Sequence, residues 1–203
     1  MNKAKPKKAS KAIIERKIIE RNRMALAHLE LAGDKVFKSL PEDEKNRLIK
    51  EVMAVGDETA KWVENEYKSD DPRKIAVKMG LRIYGEESQA LKKSEYRHEK
   101  KEIAISRRFH EKLLREVKSK DISDRLLKLV VAQELFRHIE LDRIGEVYKR
   151  YKFKVWQIGP FVREKFVKGL SGVAAQAFTQ RLLGIEVTPQ VFDYLVLASF
   201  PAS

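Results

Sequence analysis

The residues best placed for chemistry lie in one run, Val131-Ala132-Gln133-Glu134-Leu135-Phe136-Arg137-His138-Ile139. From Leu126 to Ile139 the chain is apolar on nearly every side, which predicts a largely buried helix. On such a helix Gln133 and Arg137 share a face, and Glu134 and His138 share another about 100° further round. A polar pair four apart, with an acid directly after the first member, is the layout of H-E-x-x-H. In that motif two histidines bind zinc and the glutamate activates water. Here the run reads Q-E-L-F-R, so Glu134 remains as a remnant general base and no catalytic set is intact. Each polar group on a buried helix needs a partner, since leaving one unmade costs about 1–3 kcal/mol.

Zinc ligands are drawn from His, Cys, Asp and Glu, and a catalytic site uses three of them plus water. Gln133 is a poor neutral ligand, and Arg137 places a permanent cation where the dication would sit. No zinc or other cofactor is therefore expected at these positions. The alternative is a rearranged metal site on Glu134 and His138, with Glu140 or Asp142 nearby, serving a metallohydrolase. The chain has no cysteine, which excludes disulfides, thiolate catalysis and Cys-ligated zinc. Neither a phosphate-binding glycine loop nor a nucleophile elbow is present.

A second segment, Tyr148-Lys149-Arg150-Tyr151-Lys152-Phe153-Lys154-Val155-Trp156, interleaves cations with rings. Lys149, Arg150, Lys152 and Lys154 are candidate nucleic-acid contacts, the cations pairing with phosphates while rings stack on bases. The same spacing also fits an amphipathic strand with its lysines on one side and Phe153 and Val155 toward the core. The net charge of +13 favours an anionic partner. Much of it sits in residues 1–35, which hold seven Lys and three Arg against three Glu and one Asp. No apolar stretch suits a signal peptide or a membrane span, so an intracellular, cytoplasmic protein with no membrane contact is expected.

The elements that must position these residues follow from caps and periodicity. Residues 1–9 read as a disordered basic arm, followed by a helix from Ser10 as N-cap to Gly33. A second helix opens at Pro41, where Glu42, Asp43 and Glu44 complement the helix dipole, and stops near Gly56. A third runs from Asp57 to Tyr67 with Trp62 and Val63 on its apolar side, and a short one from Pro72 stops at Gly80. The period then falls to two: Leu81–Tyr84 reads as a strand, and Ser94–Arg97 and Glu102–Ser106 as a hairpin with Ile103 and Ile105 on one face. Helices follow over Arg107–Lys118, Asp124–Leu141 and Phe161–Leu183, and a last one after Pro189. The expected fold class is α+β, with about three strands packed on helices behind a basic helical N-terminal region.

Taken in order, Asp71-Pro72-Arg73-Lys74-Ile75-Ala76-Val77-Lys78-Met79-Gly80-Leu81-Arg82-Ile83-Tyr84, the hairpin, Val130-Val131-Ala132-Gln133-Glu134-Leu135-Phe136-Arg137-His138 and Ser171-Gly172-Val173-Ala174-Ala175-Gln176-Ala177-Phe178-Thr179-Gln180-Arg181-Leu182-Leu183 resemble the ImmA/IrrE-like zincin metallopeptidases. The resemblance covers residues 70–184. It implies a zincin-like domain over 70–203, preceded by a basic arm and helix over 1–35 and a helical part over 36–69. It also implies that the third zinc ligand, a glutamate of a later helix, would fall at Gly172. Gln133, Arg137 and Gly172 are then vestigial metal positions, and the chain is a pseudo-metallopeptidase acting through binding, with a regulatory setting by analogy. Its partner would be a protein or nucleic acid; neither partner nor oligomeric state is specified. Two geometric expectations follow. Gln133, Arg137 and Gly172 should converge, and the Arg137 guanidinium should point into the cleft toward Glu134 or another acceptor.

Overall fold

Acids open several helices where the sequence places them. The computed structural model describes residues 6–87, 93–117, 120–158 and 161–185. Helix α1 spans Pro6–Leu31 and α2 spans Lys35–Ser39. Asp34 caps α2 by accepting from the N–H groups of Val36 (2.7 Å) and Phe37 (3.0 Å). Helix α4, Pro72–Lys78, begins the same way: Asp71 accepts from the Arg73 N–H at 2.9 Å, and Pro72 occupies a first-turn position that needs no N–H. The basic arm differs from expectation, because residues 6–9 already belong to α1 and Ser10 lies inside it. Residues 1–5 and the helix expected after Pro189 lie outside the described residues.

Helix α3 runs unbroken over Glu42–Tyr67 and merges the two helices expected on either side of Gly56. The glycine marks a crossing where a stop was expected. A Cβ there would overlap the Ala174 carbonyl oxygen and come within 2.8 Å of the Phe178 nitrogen and 2.9 Å of the Ala177 Cβ. Glycine thus lets α3 lie against α7, Leu170–Leu183, at near-backbone contact. On α3, Val63 is fully buried while Trp62 is largely outside the core.

Strands β1 (Arg82–Glu86), β2 (Ser94–Arg97) and β3 (Glu102–Ser106) form one sheet in the order β1-β3-β2. The hairpin β2–β3 is antiparallel, pairing Tyr96 with Ile103, and β1 runs parallel to β3, pairing Ile83 with Ile103. The central strand β3 is buried throughout, with Ile103 and Ile105 in the main core. Helix α5 spans Arg107–Val117 and α6 spans Lys120–Ile139. A widened π-helical turn continues α6 over Glu140–Ile144, and a 3-10 turn spans Val147–Arg150. Arg73 reaches Asp124 at 2.6 Å, tying α4 to the start of α6.

Two further strands, β4 (Phe153–Ile158) and β5 (Phe161–Lys165), form an antiparallel pair. Residues 161–165 are therefore a strand, where a helix from Phe161 was expected. Their alternation is too short to separate the two periods, and β4 supplies the pairing that decides. The architecture is α+β and mostly helical, with one three-stranded and one two-stranded sheet among the described residues. Phe136 of α6 and Phe178 of α7 meet at 5.3 Å between ring centroids, at the contact that holds the two chemistry-bearing helices together.

Candidate functional site

Glu134 is only 5% exposed, yet its carboxylate is well supplied with donors. Oε1 accepts from the Ser94 hydroxyl at 2.6 Å, and Oε2 from the Tyr96 backbone N–H at 3.1 Å. The pairing scheme explains why Tyr96 can donate. Ser106 N–H donates to the Lys93 carbonyl at 3.0 Å, so residues 94 and 96 direct their backbone polar groups away from β3, along the free sheet edge. Helix α6 lies beside that edge, and Glu134 covers one of its open donors.

Tyr96 also serves the next turn of α6. Its hydroxyl lies 2.8 Å from Nδ1 of His138 and 3.3 Å from Nδ1 of His98. His138 is 2% exposed, and burial pushes its pKa below the usual histidine value; Asp142 opposes this, while Lys101, His98 and Arg143 reinforce it. Glu134 and His138 thus engage opposite ends of one tyrosine, backbone and hydroxyl, and do not meet at a common point. Among the described residues no group of three or more His, Asp and Glu side chains is placed to hold a metal ion. Gln133, Arg137 and Gly172 bring an amide, a cation and no side chain. The donor set does not fit zinc.

Gln133, Glu134, Arg137 and Gly172 nevertheless line one open cleft of about 950 Å³. One wall is β2 and α6; the other is the π turn, the start of α7 and the end of α1. Arg137 lies on the rim: its side chain is 65% exposed, and Nε sits 3.7 Å from Glu134 Oε2. It meets the acid that was expected, at long range and in contact with solvent, so the ion pair is a weak one.

Glu30 of α1 was not legible in the sequence as a site residue. Its carboxylate oxygen stands where a Cβ on Gly172 would lie, and the Gln176 side-chain amide donates to it. Three residues earlier, Gly169 leaves room for Leu31, whose Cδ2 would be 2.7 Å from an added Cβ. Two glycines spaced i, i+3 at the start of α7 thus seat consecutive residues of α1. Burial pushes the Glu30 carboxyl above its usual value, with the Gln176 hydrogen bond opposing. The glycine pair was a signal of close approach, but nothing local says which element approaches. Beside it, Glu140 accepts from the Val147 N–H at 2.7 Å and from the Ser171 hydroxyl. Lys93, just before β2, is pushed down to about 8 by burial.

The basic-aromatic segment is not a bare cationic surface. Lys149 pairs with Glu146, and Arg150 donates to the Ile144 carbonyl at 2.6 Å. Lys152 lies 3.4 Å from Glu164, and Lys154 is exposed opposite Glu164 in the β4–β5 register. Phe153 packs against the core; the side chains of Val155 and Trp156 lie outside those described. Among the described residues no helix is long and apolar enough to cross a membrane. Comparison with known proteins finds no matching protein family, no matching curated protein and no matching solved structure.

Proposed function

We propose that the chain is a catalytically inactive, zincin-like protein, related in design to the ImmA/IrrE-like metallopeptidases, that works by binding in the α6–α7 cleft. One observation carries this reading: Gln133, Glu134, Arg137 and Gly172, drawn from two distant helices, line the same cleft. A two-helix ligand set would need both helices to face one cleft, and α6 and α7 do so. The chemistry of these side chains supports inactivity. A zinc hydrolase needs three ligating side chains and a base within reach of bound water, whereas Gln133 is a poor ligand, Arg137 a cation and Gly172 has no side chain. Glu134 already accepts from Ser94 and Tyr96.

The purified protein should carry no stoichiometric zinc and cleave no peptide. One tightly held zinc per chain, removable by a chelator together with an activity, overturns the proposal. A gain-of-function variant tests the frame itself. Gln133→His, Arg137→His and Gly172→Glu restore a ligand set, and Glu30→Ala accompanies them so that a second carboxylate does not crowd the new glutamate. Ligand distances at zinc sites tolerate only about 0.2 Å, so partial affinity is expected. A folded quadruple variant with no zinc affinity argues against a zincin frame.

A second reading, sequence-independent nucleic-acid binding, is supported by the net charge and by α1. The cations of residues 1–35 stand at positions 3, 5, 7, 8, 11, 16, 17, 21, 23 and 35, spread along the sequence and not gathered in one motif. Such a distribution suits diffuse phosphate contact better than docking in one groove.

A further inference from the structure

Among the described residues, two buried side-chain nitrogens lack a hydrogen-bond partner, Arg23 Nε and Gln180 Nε2. They belong to α1 and α7, far apart in sequence, yet both residues line one pocket of about 360 Å³. A buried donor without an acceptor has given up its bond to water, so such atoms mark a place where an outside acceptor is wanted. The Arg23 guanidinium donates through both terminal nitrogens to Asp57, at 2.8 and 3.2 Å, which leaves Nε unused. Gln180 is 5% exposed, and its last side-chain torsion is soft, so the amide can turn without moving α7. Three cations line the pocket, Arg23, Lys61 and Arg181, against one acid, Asp57. With Glu64 counted as well, 4.0 Å from Arg181, the cations still exceed the acids. Both orphaned groups are donors, and so are the exposed Lys61 and Arg181 beside them. The matching ligand is one that supplies acceptors.

We propose that this pocket binds one tetrahedral oxyanion of the phosphate class. Donors come to it from three helices: Arg23 from α1, Lys61 from α3, and Gln180 and Arg181 from α7. A tetrahedral anion turns oxygens toward all three, whereas a planar carboxylate offers two oxygens in one plane. Hydrogen bonds from Arg and Lys to an anion are charge-assisted and about twice as strong as neutral ones. Asp57 lines the same pocket and repels an anion, which keeps the site weak, with a dissociation constant on the order of millimolar. The pocket shares no residue with the α6–α7 cleft, so it stands apart from the zincin-like reading.

Isothermal titration of the full chain with inorganic phosphate, sulfate and acetate, at constant ionic strength with chloride as the balancing ion, tests the site. Phosphate and sulfate should saturate it and bind at least about tenfold more tightly than acetate. The Gln180 side-chain NH2 and Arg23 Nε–H signals in a nitrogen NMR spectrum should shift and saturate with the same dissociation constant. Gln180→Met removes the buried donor at similar volume and should weaken phosphate binding at least about tenfold. Lys61→Gln, at an exposed position, should weaken it about threefold. Lys74→Gln removes the same charge from the exposed side of α4 and should leave it unchanged. The proposal is overturned by acetate binding as tightly as phosphate, by the absence of saturation, or by NMR signals that do not respond. Equal effects of Lys61→Gln and Lys74→Gln overturn it as well. So does a Gln180→Met chain with the wild-type circular dichroism spectrum and the wild-type affinity; if that variant does not fold, the contrast between Lys61→Gln and Lys74→Gln decides. A DNA oligonucleotide without terminal phosphates identifies the source of the anion. Displacement of inorganic phosphate assigns it to a nucleic-acid backbone, and no displacement to a free phosphate or a phosphate monoester.

Discussion

Tyr96 is the residue on which the polar part of the interior turns, because its backbone holds Glu134 and its hydroxyl holds His138. The burial of His138 makes stability pH-dependent in a definite direction. Burial depresses the His138 pKa in the folded chain, while the unfolded chain takes up its proton near 6.5. Between that value and the lower folded one, the unfolded state binds more protons, so acid favours unfolding. His138 therefore contributes its stability in full above about pH 6.5 and loses it as pH falls through the folded pKa. Urea unfolding midpoints of the wild type should fall across this window. In His138→Gln the fall should be shallower, and an unchanged slope would assign the effect to other groups. The sequence identified Glu134 and His138 as groups needing partners, but both partners come from β2, 38 to 42 residues upstream. No local pattern names them.

At the scale of elements, glycines decide how close the helices come, and their neighbours decide what a substitution costs. Gly56 faces the backbone of α7, which cannot move without shifting the helix, so Gly56→Ala should destabilise by about 1–3 kcal/mol through overpacking. Gly172 faces only the end of the Glu30 side chain, which can swing aside. There the helix-propensity gain of alanine, about 1 kcal/mol, offsets the local adjustment, and Gly172→Ala should stay within about 1 kcal/mol of wild type. Denaturant titration of both variants checks the contrast; equal losses would mean that Glu30 is held as firmly as backbone. Gly56 also shows why a helix stop could not be told from a helix crossing in sequence. Both remove a side chain, and only the approach of Ala174, Ala177 and Phe178 distinguishes them.

For the whole molecule, the excess of basic residues is the property with the widest reach. If α1 and the residues before it supply phosphate contacts, each contact contributes about 0.9 unit to the salt dependence of nucleic-acid affinity on duplex DNA. Deleting residues 1–11 removes Lys3, Lys5, Lys7, Lys8 and Lys11. The slope of log affinity against log salt should flatten by about one unit per lost contact. An unchanged slope would place binding elsewhere. The deletion spares Ala27 and Leu31, the α1 residues buried in the core, and Glu30 in the cleft. Nucleic-acid contact and cleft binding can therefore be separated in one variant.

The sequence alone determined the α+β class, the β1 and β2–β3 strand segments, the buried helix around Glu134 and the unsuitability of Gln133, Arg137 and Gly172 as ligands. These follow from side-chain type and from periods of two and 3.6, which are local. Tertiary structure alone decided that β5 is a strand, that α3 passes Gly56 unbroken, and that Glu30 fills the space at Gly172. Each depends on a partner far along the chain: β4 for β5, α7 for Gly56, and α1 for Gly172. A glycine records that something comes close; what comes close is fixed only when the chain has packed.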